Sequence, residues 1–103
     1  GRINFLSNGH AEKKISLTKH KKTTIEIVGS GTTALGENAI LRVSLNGKIL
    51  RDLKFSEKKD DKYLVLIETN DKIATVRVEF INDYYDSANG FDRNIFIKSI
   101  NIK

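Results

Sequence analysis

Apolar and polar residues alternate with period two along most of this chain, the pattern of strands buried on one face. Over Lys14–Thr18, Ile15 and Leu17 share one face, and Lys14, Ser16 and Thr18 share the other. Over Thr23–Gly29, Ile25 and Ile27 point inward while Thr24 and Glu26 point outward. Leu41, Val43 and Leu45 mark the next strand. Ile49, Leu53 and Phe55 mark the one after it, with Arg51 interrupting the pattern. Lys62–Glu68 is apolar on both faces, as expected of a central strand. The clearest alternation is Lys72–Asn82, with Ala74, Val76, Val78 and Phe80 inward and Thr75, Arg77 and Glu79 outward. Asn94–Lys103 closes the chain as a last strand.

The polar breaks agree with this reading. Asn46-Gly47 tolerates the positive backbone angles of a two-residue hairpin turn. Thr69–Lys72 separates two more strands, and Gly29–Asn38, with three glycines, reads as a long permissive loop. Seven or eight strands at roughly 8–12 residue spacing, with no long helix, predict an all-β fold. The expected architecture is an antiparallel, jelly-roll-like β-sandwich forming one domain over residues 1–103.

Composition narrows the chemistry. The chain has no Met, even at position 1, and is read as a segment of a longer protein. It has no Cys, which excludes disulfides, thiol catalysis and thiolate metal sites. No apolar run approaches the roughly 18 residues that span a bilayer, so no membrane partner is expected. His10 and His20 lie in polar surroundings and read as surface residues. The net charge is +5, concentrated in Glu12–Lys22, which reads as a solvated strand face. No aromatic residue is interleaved there, so a nucleic-acid surface is not expected.

The remaining candidate is Asn82–Asn94, which holds three aspartates, three asparagines, two tyrosines and a phenylalanine. Like charges this close need screening by water or a cation. Catalysis by two of the carboxylates is disfavoured, because all three share one stretch and a hydrolytic pair must flank its substrate. Asp83, Asp86, Asn89 and Asp92 recur every third residue, with Gly90 permitting a bend, and offer the hard oxygens calcium prefers. The register is not that of an EF-hand, since the twelfth position from Asp83 is Asn94. Spacing alone leaves calcium and a solvated turn both open, because Asp and Asn also cap turns.

A strand ending in Asn82-Asp83, an acidic stretch, then Asp92-Arg93-Asn94 opening an alternating strand of Ile95, Ile97, Ile100 and Ile102 resembles a known pattern. It is similar to the closing segment of calcium-dependent, xylan-binding-type carbohydrate-binding modules, families 36 and 60, and the hairpin Leu41–Leu50 resembles their central one. The resemblance implies a non-catalytic β-sandwich, attached to a larger protein such as a secreted glycoside hydrolase and working outside the bacterial cell or at its surface. It implies a calcium ion held by Asp86, Asp92 and the carbonyl of Phe91, with Asp83 as a further ligand or anchor. Sugar hydroxyls would complete the coordination of the ion. Tyr84, Tyr85, Asn89, Arg93 and Glu37 are the expected polysaccharide contacts. Adjacent Tyr84 and Tyr85 face opposite ways in an extended chain, so one packs inward and the other is free to stack on a sugar. Three features depart from the pattern: there is no Trp, Lys98 stands where a small polar or acidic residue is usual, and the net charge of +5 is unusual for a binder of neutral xylan. The alternative is an interaction module in which calcium only stiffens Asn82–Asn94 and partners bind the basic stretch Lys13–Lys22.

Overall fold

The computed structural model describes residues 3–5, 8–17, 22–57, 59–69 and 71–102. Among these residues there are ten strands and no helix. They are β1 (Ile3–Phe5), β2 (Gly9–Ser16), β3 (Lys22–Gly31), β4 (Ile40–Leu45), β5 (Lys48–Lys54), β6 (Asp61–Glu68), β7 (Ile73–Phe80), β8 (Tyr84–Asp86), β9 (Phe91–Arg93) and β10 (Ile95–Ile102). One sheet has the order β1-β10-β3-β6 and the other β2-β7-β4-β5, and every pairing is antiparallel. Beyond the seven strands placed from the sequence the structure adds β1, β8 and β9, of which β8 and β9 form a separate hairpin.

The sheets face each other across one apolar cluster. Ile25, Ile27, Val65, Ile67, Ile95 and Ile97 come from the first sheet, and Leu41, Val43, Leu53, Val76, Val78 and Phe80 from the second. These are the alternating positions of the sequence, and burying each one contributes about 1.5–3 kcal/mol relative to exposure. Phe55, wholly buried between β5 and β6, stacks on Tyr63 at 4.6 Å and 6°. The Tyr63 hydroxyl accepts the Ser56 backbone N–H at 2.8 Å, so the ring is held at both ends. Asn46 and Gly47 have φ of 49° and 83°, as a two-residue β4–β5 turn demands.

Four expectations change. Lys62–Glu68 is not central: β6 is an edge strand, and its second apolar row, Leu64 and Leu66, is about half exposed at 51% and 52%. Arg51 reaches across from β5 and its Nη1 donates to the Leu64 carbonyl at 2.9 Å. Ile49 does not join the core. A bulge shifts the β4–β5 register between Val43 and Ser44, so Ile49 turns outward beside Ser44 while Leu50 packs on the core instead. Gly29–Gly31 belongs to β3, which shortens the long loop. The basic stretch is not one strand, because β2 ends at Ser16 and β3 begins at Lys22. Residues 18–21, including His20, lie outside the described residues. Lys13 takes a core-facing position opposite Val76 on edge strand β2, yet its side chain is exposed.

The outer face of the second sheet is a ladder of charges. Arg42 pairs with Asp52 at 2.9 Å, and Arg77 with both Glu12 and Glu79 at 3.4 Å. The hydrogen bond to Asp52 raises the Arg42 pKa above its usual value.

Candidate functional site

Asn82–Asn94 is a hairpin rather than a loop. Tyr84 faces Arg93, Tyr85 faces Asp92 and Asp86 faces Phe91. Directly opposed residues share a face and neighbours alternate, so the hairpin has two chemically different sides. One side carries Tyr84, Asp86, Phe91 and Arg93. Tyr84 meets Phe91 edge-on at 6.4 Å, and the Arg93 guanidinium lies 5.8 Å from the Tyr84 ring centroid. The other side carries Tyr85, 68% exposed, and Asp92.

Arg93 anchors the hairpin from below. It is only 5% exposed, and its Nη1 and Nη2 donate to the carbonyls of Asn82 and Ala34 at 2.5 and 2.6 Å. Nη2 also lies 3.7 Å from Glu37 Oε2, which draws the Ala34–Glu37 turn to the hairpin. Arg93 therefore pairs with main-chain carbonyls and Glu37, and among the described residues with none of the three aspartates. Asn82 adds a second tie, accepting from Ile40 N–H at 2.7 Å and donating to the Asn38 carbonyl at 2.9 Å.

The Ala34–Glu37 turn closes with two backbone bonds, Ala34 N–H to Glu37 O and Glu37 N–H to Ala34 O. Its central residues Leu35 and Gly36 have φ of 55° and 75°. A left-handed Leu costs about 1–2 kcal/mol, and here the side chain is 57% exposed, with no core contact in return. Leu35→Gly is therefore expected to stabilise the fold by about 1 kcal/mol, read as a rise in Tm of roughly 4–8 °C. An unchanged or lower Tm would show that the side chain is held by contacts that offset the strain.

The aspartates separate by function. Asp86 caps the hairpin turn, accepting from Asn89 Nδ2 at 2.7 Å and from Asn89 N–H at 3.4 Å. Asp92 accepts from Asn94 Nδ2 at 3.0 Å. Asp83 is tied by its backbone N–H to Asn8 Oδ1 at 2.9 Å. Carrying the alternation one residue past the Tyr84–Arg93 pair sets Asp83 and Asn94 on the side of Tyr85 and Asp92. Thr32 locks this end, its hydroxyl donating to the Asp92 carbonyl and accepting from the Asn94 N–H, both at 2.7 Å.

Two buried oxygens there, Asp83 Oδ1 and Asn94 Oδ1, have no hydrogen-bond donor among the described residues. A buried acceptor without a partner costs about 1–3 kcal/mol, so such groups point to a missing counterpart. Both atoms are hard oxygen donors that suit calcium, and Asp92 adds a carboxylate. Among the described residues no three His, Asp or Glu side chains are grouped closely enough to hold a metal ion by themselves. A cation here would thus draw on a mixed set in which an amide oxygen joins the carboxylates.

Sequence reasoning did not assign Thr32, Leu35 or Asn94 to the site. Thr32 is 60 residues from Asp92 in the chain, and no local pattern marks that pairing. Gly36, following an apolar residue in a polar stretch, was the available signal for the Leu35 turn.

Comparison with curated proteins gives no match. Residues 24–103 match family 60 of the carbohydrate-binding modules, described as Ca-dependent and xylan-binding. That span includes the hairpin, the Ala34–Glu37 turn and all three aspartates, and the chain belongs to this family of carbohydrate-binding modules.

Proposed function

We propose that this chain binds a polysaccharide without cleaving it, through a calcium ion held at the open end of the β8–β9 hairpin. The observation that carries the reading is the pair of buried oxygens, Asp83 Oδ1 and Asn94 Oδ1, that have no donor among the described residues and lie beside Asp92. Asp83 and Asp92 supply the carboxylates, and Asn94 supplies the amide oxygen. The Phe91 carbonyl is the main-chain candidate. Asp86, expected as a ligand from the sequence, stands on the opposite side of the hairpin and is bonded to Asn89, so it is left out of the set. Calcium, when bound, supplies open positions that two neighbouring sugar hydroxyls can take. Tyr85, the exposed ring on the same side, offers an apolar face for a pyranose. Glu37 and Asn89 stand exposed at the two turns as polar contacts. Arg93, being buried, serves by holding the hairpin against the Ala34–Glu37 turn. On this reading the chain works outside the cell, tethered to a larger protein.

Calcium should raise the melting temperature, because a ligand that binds only the folded state stabilises it. At about 100 times its Kd the gain is about 2.7 kcal/mol, or roughly 10–20 °C. Asp92→Ala, at an exposed position, is expected to fold normally and to lose both the calcium shift and glycan binding. Coincident melting curves of the unaltered protein in calcium and in chelator would sink the proposal. A glycan array run in both conditions separates it from the rival reading. Glycan binding of undiminished strength in chelator, with the calcium shift intact, would mean that calcium only stiffens the hairpin.

A further inference from the structure

Beyond the hairpin, the outer face of the first sheet carries a shallow cleft of about 230 Å³, lined by Asn4, Asp60, Phe96, Ile97 and Lys98. This volume is several times the ~30 Å³ share of a water molecule. It falls below the ~300–1,000 Å³ of sites for drug-sized ligands, and so suits one small unit. Asn4 stands directly opposite Phe96 in the β1–β10 pair, so an amide flanks the aromatic ring. Asp60 enters from the turn before β6. Lys98 reaches the cleft through a break in the ladder. Ile97 pairs with Gly29 and Ser99 with Val28, leaving Lys98 as the extra residue of a bulge. Bulges of this kind re-aim a side chain and cluster beside binding sites.

Lys98 and Asp60 are both exposed, and neither has an ion-pair or hydrogen-bond partner among the described residues. An unpaired cation and an unpaired anion facing one cleft suit a ligand whose groups both donate and accept. A sugar hydroxyl does both, donating to a carboxylate while accepting from an ammonium. The exposed lining is mainly polar, with half-buried Phe96 at its side, so it favours a ligand held by its hydroxyls. We infer that this cleft is a second carbohydrate subsite, taking one pyranose unit beside Phe96 with its hydroxyls on Asp60, Lys98 and Asn4. The choice of glycan class rests on the proposed function above. The cleft itself uses no calcium. Phe96 follows Asn94 by two residues, about 7 Å along the strand, a span that one oligosaccharide covers.

The test is a titration with xylohexaose, followed by backbone amide shifts, in calcium and again in excess chelator. In chelator, shifts are expected at Asn4, Asp60, Phe96 and Lys98, with weak affinity. In calcium, the hairpin amides of Asp83–Asn94 should join them. Replacing both Asp60 and Lys98 by alanine should erase the cleft shifts and weaken xylohexaose binding in calcium by about tenfold, the scale of lost hydrogen bonds to charged groups. The same variant should bind calcium alone as the unaltered protein does. Hairpin shifts without cleft shifts, or cleft shifts unchanged in the double variant, would overturn the subsite and leave the calcium reading intact. Cleft shifts with no calcium-dependent hairpin shifts would support the subsite while removing the calcium reading.

Discussion

Arg93→Ala is expected to lower stability by about 3–5 kcal/mol, the cost of breaking a buried charged network on one side. The loss has separable parts. The carbonyls of Asn82 and Ala34, bonded to Nη1 and Nη2 at 2.5 and 2.6 Å, are both stripped of a charged donor. The space under Tyr84 empties, since the guanidinium lies 5.8 Å from that ring centroid. Glu37, 3.7 Å from Nη2, loses its only ion-pair partner among the described residues. At about 4–8 °C per kcal/mol, the melting temperature should fall by at least 12 °C. Arg93→Lys should recover little, because a single ammonium lacks the planar fork that spans two carbonyls. On the proposed calcium reading, affinity for the ion should fall in both variants, since the hairpin carrying Asp83 and Asp92 is no longer pinned. A melting curve within 2 °C of the unaltered protein for Arg93→Ala, on the scale of surface substitutions, would show that the buried network is not what holds the hairpin.

A second large effect is expected from one methyl group. A Cβ on Gly29 would stand 2.5 Å from the Phe96 carbonyl oxygen, 3.0 Å from Phe55 Cε2 and 3.1 Å from Ile97 Cα. Two of these are backbone atoms of the paired strand and cannot swing aside. Gly29→Ala must therefore force β3 and β10 apart, at a cost on the order of 3 kcal/mol. Strand β10 carries Phe96 and Lys98, so the displacement should also disturb the outer cleft. Gly36→Ala is the useful control. Among the described residues nothing lies within 4 Å of its Cβ position, and its φ of 75° is what resists substitution. It should cost about 1–2 kcal/mol, the left-handed penalty alone. Equal melting temperatures for the two variants would show that β10 yields more easily than its packing implies.

The contrast between these glycines shows where the sequence was readable. Alternation over Lys72–Asn82 was enough to place Ala74, Val76, Val78 and Phe80 in the core, because that strand is central and flanked on both sides. The Asn46-Gly47 turn was legible for a local reason, the backbone angles that only a few residues tolerate. Lys62–Glu68 misled because exposed Leu64 and Leu66 mimic the two-sided apolarity of a central strand. Ile49 misled because a bulge depends on the partner strand, which no local pattern records. In the site, the cluster of oxygens was visible from Asp83, Asp86 and Asp92. Their division between the two sides of a hairpin was not, because β8 and β9 are three residues each and too short to show a period. Burial of Arg93 depends on a carbonyl 59 residues away, which again leaves no local trace.

A module that gathers on a polymer meets its own copies at high local density, and open sheet edges are then the hazard. Each of the four outer strands carries its own guard. The β1 strand has three residues, β5 is bulged and charged, and β2 turns Lys13 toward a core it cannot enter. On β6, where Leu64 and Leu66 would invite a neighbour, Arg51 already occupies the Leu64 carbonyl. These devices leave an incoming strand little to pair with. Crowding on a fibre should therefore produce a monolayer of separate molecules rather than a second fibre made of protein.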